Sequence, residues 1–181
     1  SDYIRAVVNE VKPDMVIVID ALAAGSMERI NKSIQITDTG IHPGSGVGNM
    51  RKEVSYDTLG VPVIAIGVPT VVEASVIVYD TINYLFKHIS YIKDNQSKNK
   101  LIFSRSNYIN KIKDKSLSLE EKRDILGMIG ELSDNDKKCL IDEVLTSVNY
   151  NFIVTPKEVD FVIDKLSSII GNGINKCLHD I

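Results

Sequence analysis

Residues 15–20 read Met-Val-Ile-Val-Ile-Asp, five apolar residues in succession closed by a carboxylate. Four of the five are β-branched, and Pro13-Asp14 just before them rules out a helix running through. A strand with one wet face alternates apolar and polar residues. A strand apolar at every position is covered on both faces, the situation of a parallel sheet flanked by helices. A second run of the same kind is Val61-Pro62-Val63-Ile64-Ala65-Ile66-Gly67, with its proline near the first position, where a missing N–H matters least. Ser33 to Thr37 alternates more weakly and predicts a shorter strand that leaves through Asp38-Thr39-Gly40.

Helical periodicity fills the spaces between these runs. Ile4, Val7, Val8 and Val11 recur at helical spacing until Lys12-Pro13-Asp14 stops them. Thr70 and Glu73 have the spacing of a capping box and predict a helix whose stripe is Val71, Ala74, Val78, Ile82, Leu85, Phe86 and Ile89. Ser118 with Glu121 opens another helix, and Asp134 to Val148 a further one. Phe152 to Val154 is a short strand, and Thr155-Pro156-Lys157-Glu158 starts a final helix running to Gly171. The alternation predicts an α/β fold, a three-layer sandwich with a mostly parallel sheet. About 90–150 stands apart as a polar excursion plus helices, its first part rich in Asn, Lys and Ser.

Composition removes several function classes. With 44% hydrophobic and 25% charged residues and a net charge of −3, the chain has the balance of a globular protein and no basic excess for nucleic acid. The Lys/Arg cluster between Lys87 and Lys115 is diluted by acids and amides and reads as a solvated face. No apolar run approaches the ~20 residues of a membrane span. Cys139 and Cys177, the two cysteines, form neither a disulfide framework nor a CxxC metal pattern.

The chemistry-bearing candidates begin with Asp20, which as the last residue of an apolar strand lies at the carboxyl edge of the sheet, where open α/β folds place their sites. Paired with a second carboxylate it would share a proton, one acid activating water while the other polarises a scissile carbonyl. The alternative is an aspartate that caps the turn through Ala21 and Leu22. Asp38-Thr39-Gly40 spells the triplet of pepsin-like aspartic proteases, but those folds are all-β. Gly40-Ile41-His42-Pro43-Gly44-Ser45-Gly46-Val47-Gly48-Asn49 is a glycine-rich path able to turn several amides inward. It lacks the Gly-Lys-Ser/Thr of a P-loop and the spacing of a dinucleotide fingerprint. His42 beside Asp38 has no second His or Cys at ligand spacing, so a structural histidine competes with a metal ligand there. Serine and cysteine catalysis lack a nucleophile motif.

Taken together, Ile19-Asp20-Ala21-Leu22-Ala23, Arg29-Ile30-Asn31, Ile34 through Asn49, Thr58 through Val72, Val154 through Asp160 and Gly173-Ile174-Asn175 closely resemble the spore germination protease family. The resemblance covers most of the chain outside 90–150. It implies a fold like that of the hydrogenase maturation proteases and a cytoplasmic (spore core) endopeptidase that degrades small acid-soluble spore proteins. It further implies a self-processed zymogen, a homotetramer, no cofactor and no metal. By motif, Asp20 is one of two proposed catalytic aspartates, and Asp38, His42, Gly44, Ser45 and Gly46 form a site or substrate-side loop. The 181 residues then correspond to the C-terminal part of a single protease domain whose N-terminal half, with the other aspartate, is absent. Peptide hydrolysis by these residues alone is accordingly not expected. Assembly through apolar edges, and metal-assisted hydrolysis through Asp20 and His42, are the competing expectations.

Overall fold

The structure, a computed structural model, describes residues 2–43, 52–95 and 108–179. Along the chain the elements are α1 (Asp2–Val11), β1 (Val16–Ala23), β2 (Gln35–Thr37), α2 (Tyr56–Leu59), β3 (Val63–Glu73), α3 (Ala74–Asp94), α4 (Tyr108–Ile112), α5 (Leu119–Leu126), α6 (Met128–Glu131), α7 (Asp134–Ser147), β4 (Ile153–Val154) and α8 (Val159–Leu178). They fall into two compact units. One takes the chain up to Glu73 together with the residues from Ile153 onward, and the other is Ala74–Phe152.

In the first unit α1 ends where expected. Lys12 adopts the left-handed conformation (φ 50°), its amide bonds the Val8 carbonyl at 2.8 Å, and Pro13 cannot continue the helix. β1 then pairs in parallel with β3, from Val16↔Val63 to Leu22↔Pro69, with a bulge between Leu22 and Ala23. On the other flank of β3 lies β2, antiparallel, with Gln35↔Gly67 and Thr37↔Ala65 in register. β4 pairs antiparallel with the far end of β3, Val72 facing Val154.

The sheet is therefore mixed, correcting the expectation of a mostly parallel one. A parallel return needs a crossover, usually a helix. The stretch between Ala23 and Gln35 holds only turns, so β2 runs back against β3. A second correction concerns which strand is central. β3 carries the buried core, with Val63, Ala65, Ile66, Val68, Pro69 and Val72 all closed off from solvent. β1, expected to be covered on both faces, lies at an edge of the sheet among the described residues, and its Ile19 is 56% exposed.

β3 also overruns its predicted end. Thr70 is a buried strand residue and not an N-cap, and α3 starts only at Ala74. Val68, Thr70, Val71 and Val72 are β-branched, a composition that suits a pleated, half-buried surface better than a first helical turn. Pro69 is tolerated because its backbone turns away from β1, and its carbonyl accepts the Asn31 amide at 2.7 Å. At the other end of the unit, Thr155–Glu158 form a turn closed by Val159 N–H on the Pro156 carbonyl (3.1 Å). The helix beyond it passes straight through Gly171 to Leu178.

The second unit is helical. Phe86 and Tyr79 on α3 are buried, and Ile112 of α4 and Leu117 join that core. The Ser118 cap forms as the spacing predicts: its hydroxyl accepts the Glu121 amide at 3.2 Å, and the Glu121 carboxylate accepts the Ser118 amide at 2.7 Å. Ser133 caps α7 in the same way through the Asp136 amide. Lys93 pairs with Glu121, and Lys115 with Asp94.

Candidate active site

Asp20 stands inside β1 and not at its end, because the strand continues through Ala21 and Leu22 to Ala23. It is half-buried, and its carboxylate accepts the backbone N–H of Ala21 at 3.0 Å. The capping alternative is thus met in one bond but without the turn it presumed. In register with Asp20 are Gly67 on β3 and Gln35 on β2, so these three residues form one row across the sheet.

Gly67 matters to what surrounds the carboxylate. A Cβ at this position would come within 2.3 Å of Leu22 Cδ1, so the side chain of Leu22 lies directly over the glycine. Alternate residues of a strand share a face, which puts Leu22 and Asp20 on the same side of the sheet. Asp20 therefore has bare backbone beside it on β3 and an aliphatic neighbour one step along β1.

The glycine-rich loop leaves from the opposite end of this row. Because β2 is antiparallel to β3, the chain after Thr37 heads toward the amino-terminal end of β1 and β3, away from Asp20. Thr37 is two residues below the Asp20 row and two strands across, a Cα separation of roughly 12 Å on ordinary strand spacings. Asp38 follows Thr37 directly, at a bend. The sequence-predicted Asp20 and Asp38 are consequently held apart, and the Asp38 triplet does not furnish a partner carboxylate.

The loop itself is firmly based. Thr37 Oγ1 accepts the Thr39 amide at 3.1 Å and lies 2.7 Å from Thr39 Oγ1. Ile41 and Val54 exchange two backbone bonds of 3.0 and 2.8 Å. Gly40 has φ 94°, and a Cβ there would meet the Val54 carbonyl oxygen and Ser55 Cβ at 2.6 Å, so only glycine fits. Val54 and Ser55 are buried beneath it, and Thr58 ties α2 to Ser55 through bonds to both its amide and its carbonyl. Lys52, on the returning arm, pairs with Asp2 of α1 at 2.9 Å, and that contact holds the Asp2 carboxyl below its usual range. Asp38 and His42 are exposed. Gly44, Ser45 and Gly46 lie outside the described residues.

One polar group near this sheet escaped the sequence reading. Asn31 takes the left-handed conformation (φ 57°), and its side-chain oxygen is buried without a hydrogen-bond partner. Its left-handed backbone has a precedent in the known tolerance of asparagine for that region, but nothing in the spacing marked its burial. Among the described residues no cluster of three His, Cys, Asp or Glu side chains is placed to hold a metal ion. No helix among them is long and apolar enough to cross a membrane.

Comparison with known proteins locates the chain. A family model described as germination protease matches residues 1–181. The germination protease of Bacillus subtilis is 49% identical over 184 aligned residues, which cover 99% of this chain and 50% of the relative. Those of Oceanobacillus iheyensis and Bacillus velezensis are 52% and 50% identical, with the same shares covered. The chain spans about half the length of the curated relatives it matches.

Proposed function

Since the chain belongs to the germination protease family, we propose that its residues form part of an endopeptidase that degrades small acid-soluble proteins in the germinating spore, with Asp20 as one of two catalytic carboxylates. The observation that carries this reading is identity near 50% over 99% of the chain to proteins named germination protease. The position of Asp20 supports its role. It is half-buried, flanked by Leu22 and bare glycine backbone, and hydrogen-bonded by a single weakly constraining neighbour amide.

In this mechanism two acids share one proton. The ionised member accepts a proton from water as it attacks the scissile carbonyl while the protonated member gives its proton to the carbonyl oxygen; the acid that took the water proton then passes it to the leaving amine, and the other takes a proton back from a hydroxyl of the tetrahedral intermediate. Like charges close together hold one of the pair protonated. Asp38 lies too far along the sheet to be that partner, so the second carboxylate belongs to the half of the relatives that these residues do not match. The same reading makes the 181 residues alone inactive. It also takes the fold as the three-layer arrangement of hydrogenase maturation proteases and the Asp38–Gly46 loop as substrate-facing. The whole protein is a homotetramer made as a zymogen and working in the spore core.

A chimera tests this. The 181 residues replace the matching segment of the Bacillus subtilis relative, and cleavage of a small acid-soluble spore protein is followed by gel and mass spectrometry. The chimera cleaves and its Asp20→Asn variant does not, while both fold alike by circular dichroism. Undiminished cleavage by Asp20→Asn removes Asp20 from the mechanism.

A further inference from the structure

The row of Asp20, Gly67 and Gln35 crosses β1, β3 and β2 in that order. Residues directly opposite one another in paired strands project to the same face, so the Asp20 carboxylate and the Gln35 carboxamide stand on one side of the sheet. Between them Gly67 contributes no side chain, and Leu22 lies over the gap. On ordinary strand spacing the two outer Cα atoms are about 10 Å apart, the width in which one extended chain fits between two hydrogen-bonding neighbours. The row thus has an acid on one side, a neutral amide on the other and an aliphatic floor.

Gln35 is the polar group of β2 left over for a ligand. Ile36 projects to the opposite face, in one row with Ile66 and Ile19. Thr37 shares the face of Asp20, but its hydroxyl is taken up by Thr39. Gln35 is exposed, and among the described residues its carboxamide has no hydrogen-bond partner. Asn31, the other amide near this end of the sheet, is a poorer candidate. Its side-chain oxygen is buried, and its backbone N–H bonds the carbonyl of Pro69, one row beyond Asp20.

A carboxamide carries both donors and an acceptor, the complement of a peptide group with its C=O and N–H. Such a group grips the backbone whatever side chains the substrate bears. In an extended chain successive peptide groups point to opposite sides. A chain whose scissile carbonyl faces Asp20 therefore turns the next peptide group toward Gln35. We propose that Gln35 is a substrate-positioning residue, its carboxamide hydrogen-bonding the peptide group adjacent to the scissile one, with Leu22 as the floor beneath. The inference rests on the reading of Asp20 as a catalytic carboxylate, and it adds to that reading a second wall for the bound peptide.

The Bacillus subtilis chimera described above, with a small acid-soluble spore protein as substrate, tests the inference. Gln35→Met keeps the length of the side chain and removes its hydrogen bonds. The lost bonds are made to a peptide group that does not react, so KM rises about tenfold while kcat stays within about twofold. In the Asp20→Asn chimera, which binds without cleaving, the same substitution weakens substrate binding by a similar factor, read by fluorescence anisotropy. A general loosening of β2 would lower the active fraction, and so kcat, at unchanged KM. Gln35→Asn withdraws the amide by one methylene and is expected to match Gln35→Met, which it replaces if that variant does not fold. Unchanged KM and binding overturn the inference, as does a fall in kcat alone. If Asp20→Asn is inactive and Gln35→Met behaves as the parent, this inference falls and the reading of Asp20 stands. Undiminished cleavage by Asp20→Asn, or a parent chimera that neither binds nor cleaves, overturns both.

Discussion

Gly67 offers a test of the packing beside Asp20 that needs no substrate. Replacing it by alanine puts a methyl 2.3 Å from Leu22 Cδ1 and 2.9 Å from Leu22 Cγ, well inside van der Waals contact. The obstacle is a side chain and not backbone, so Leu22 swings off its rotamer, at a cost of about 2 kcal/mol for an overpacked site. Leu22→Ala alone loses a half-buried side chain and costs about 1.5 kcal/mol, below the range for fully buried leucine. In the double variant the collision disappears and the new methyl occupies part of the vacated space. Its cost is expected near that of Leu22→Ala alone, about 1.5 kcal/mol, where independent effects would sum to about 3.5. Exchange at the Val18 and Asp20 amides reads the opening of the β1–β3 ladder directly and is blind to the helical unit. Gly67→Ala then speeds these amides by roughly 30-fold, and Leu22→Ala on top of it does not speed them further. Additive effects, or a neutral Gly67→Ala, refute the placement of Leu22 over the glycine and with it the apolar flank assigned to Asp20.

Four further outcomes follow from local geometry. A Cβ at Gly130 would lie 2.1 Å from the Lys122 carbonyl oxygen, a backbone atom that cannot step aside, so Gly130→Ala is expected to cost more than about 3 kcal/mol, read from amide exchange in α5. Gly171 and Gly173 sit in the interior of α8 with open space where a Cβ would go, and alanine at each slows exchange in the last turns by stabilising the helix about 0.5–1 kcal/mol. The Lys93 hydrogen bond, ahead of the Ser118 amide, lowers the Glu121 carboxyl below its ordinary 4.5. A lowered folded value means that its contribution is present above about pH 4.5 and lost as pH falls through the folded pKa, so α5 amides exchange faster in that window. Ser118→Ala weakens the same cap by about 1 kcal/mol at neutral pH, and retained protection in that variant would remove the cap from the account.

The elements that sequence predicted well are those decided by local chemistry. Lys12-Pro13 stops α1, Ser118 and Glu121 start α5, and Ser133 starts α7, each through bonds within a few residues. What the sequence did not announce depends on distant partners. Thr70 and Glu73 have capping-box spacing, yet the pairing of Val72 and Glu73 with β4, some eighty positions away, keeps them in a strand. The direction of β2 is set by the absence of a crossover helix after β1, which a three-residue strand cannot signal by itself. Gly67 reads as a strand-end glycine until Leu22 is seen lying on it.

The same division explains the site. Asp20 stands out in the sequence because a carboxylate in an apolar strand is chemically anomalous whatever surrounds it. Its separation from Asp38 was not, since spacing of eighteen residues fits either a shared edge or opposite ends of a sheet, and only the antiparallel course of β2 decides between them. That course has a consequence for mechanism. Within the described residues the loop bearing Asp38 and His42 and the strand bearing Asp20 open toward opposite ends of the same three-stranded row. Neither Asp38 nor His42 is therefore brought beside Asp20 by the strands that carry them.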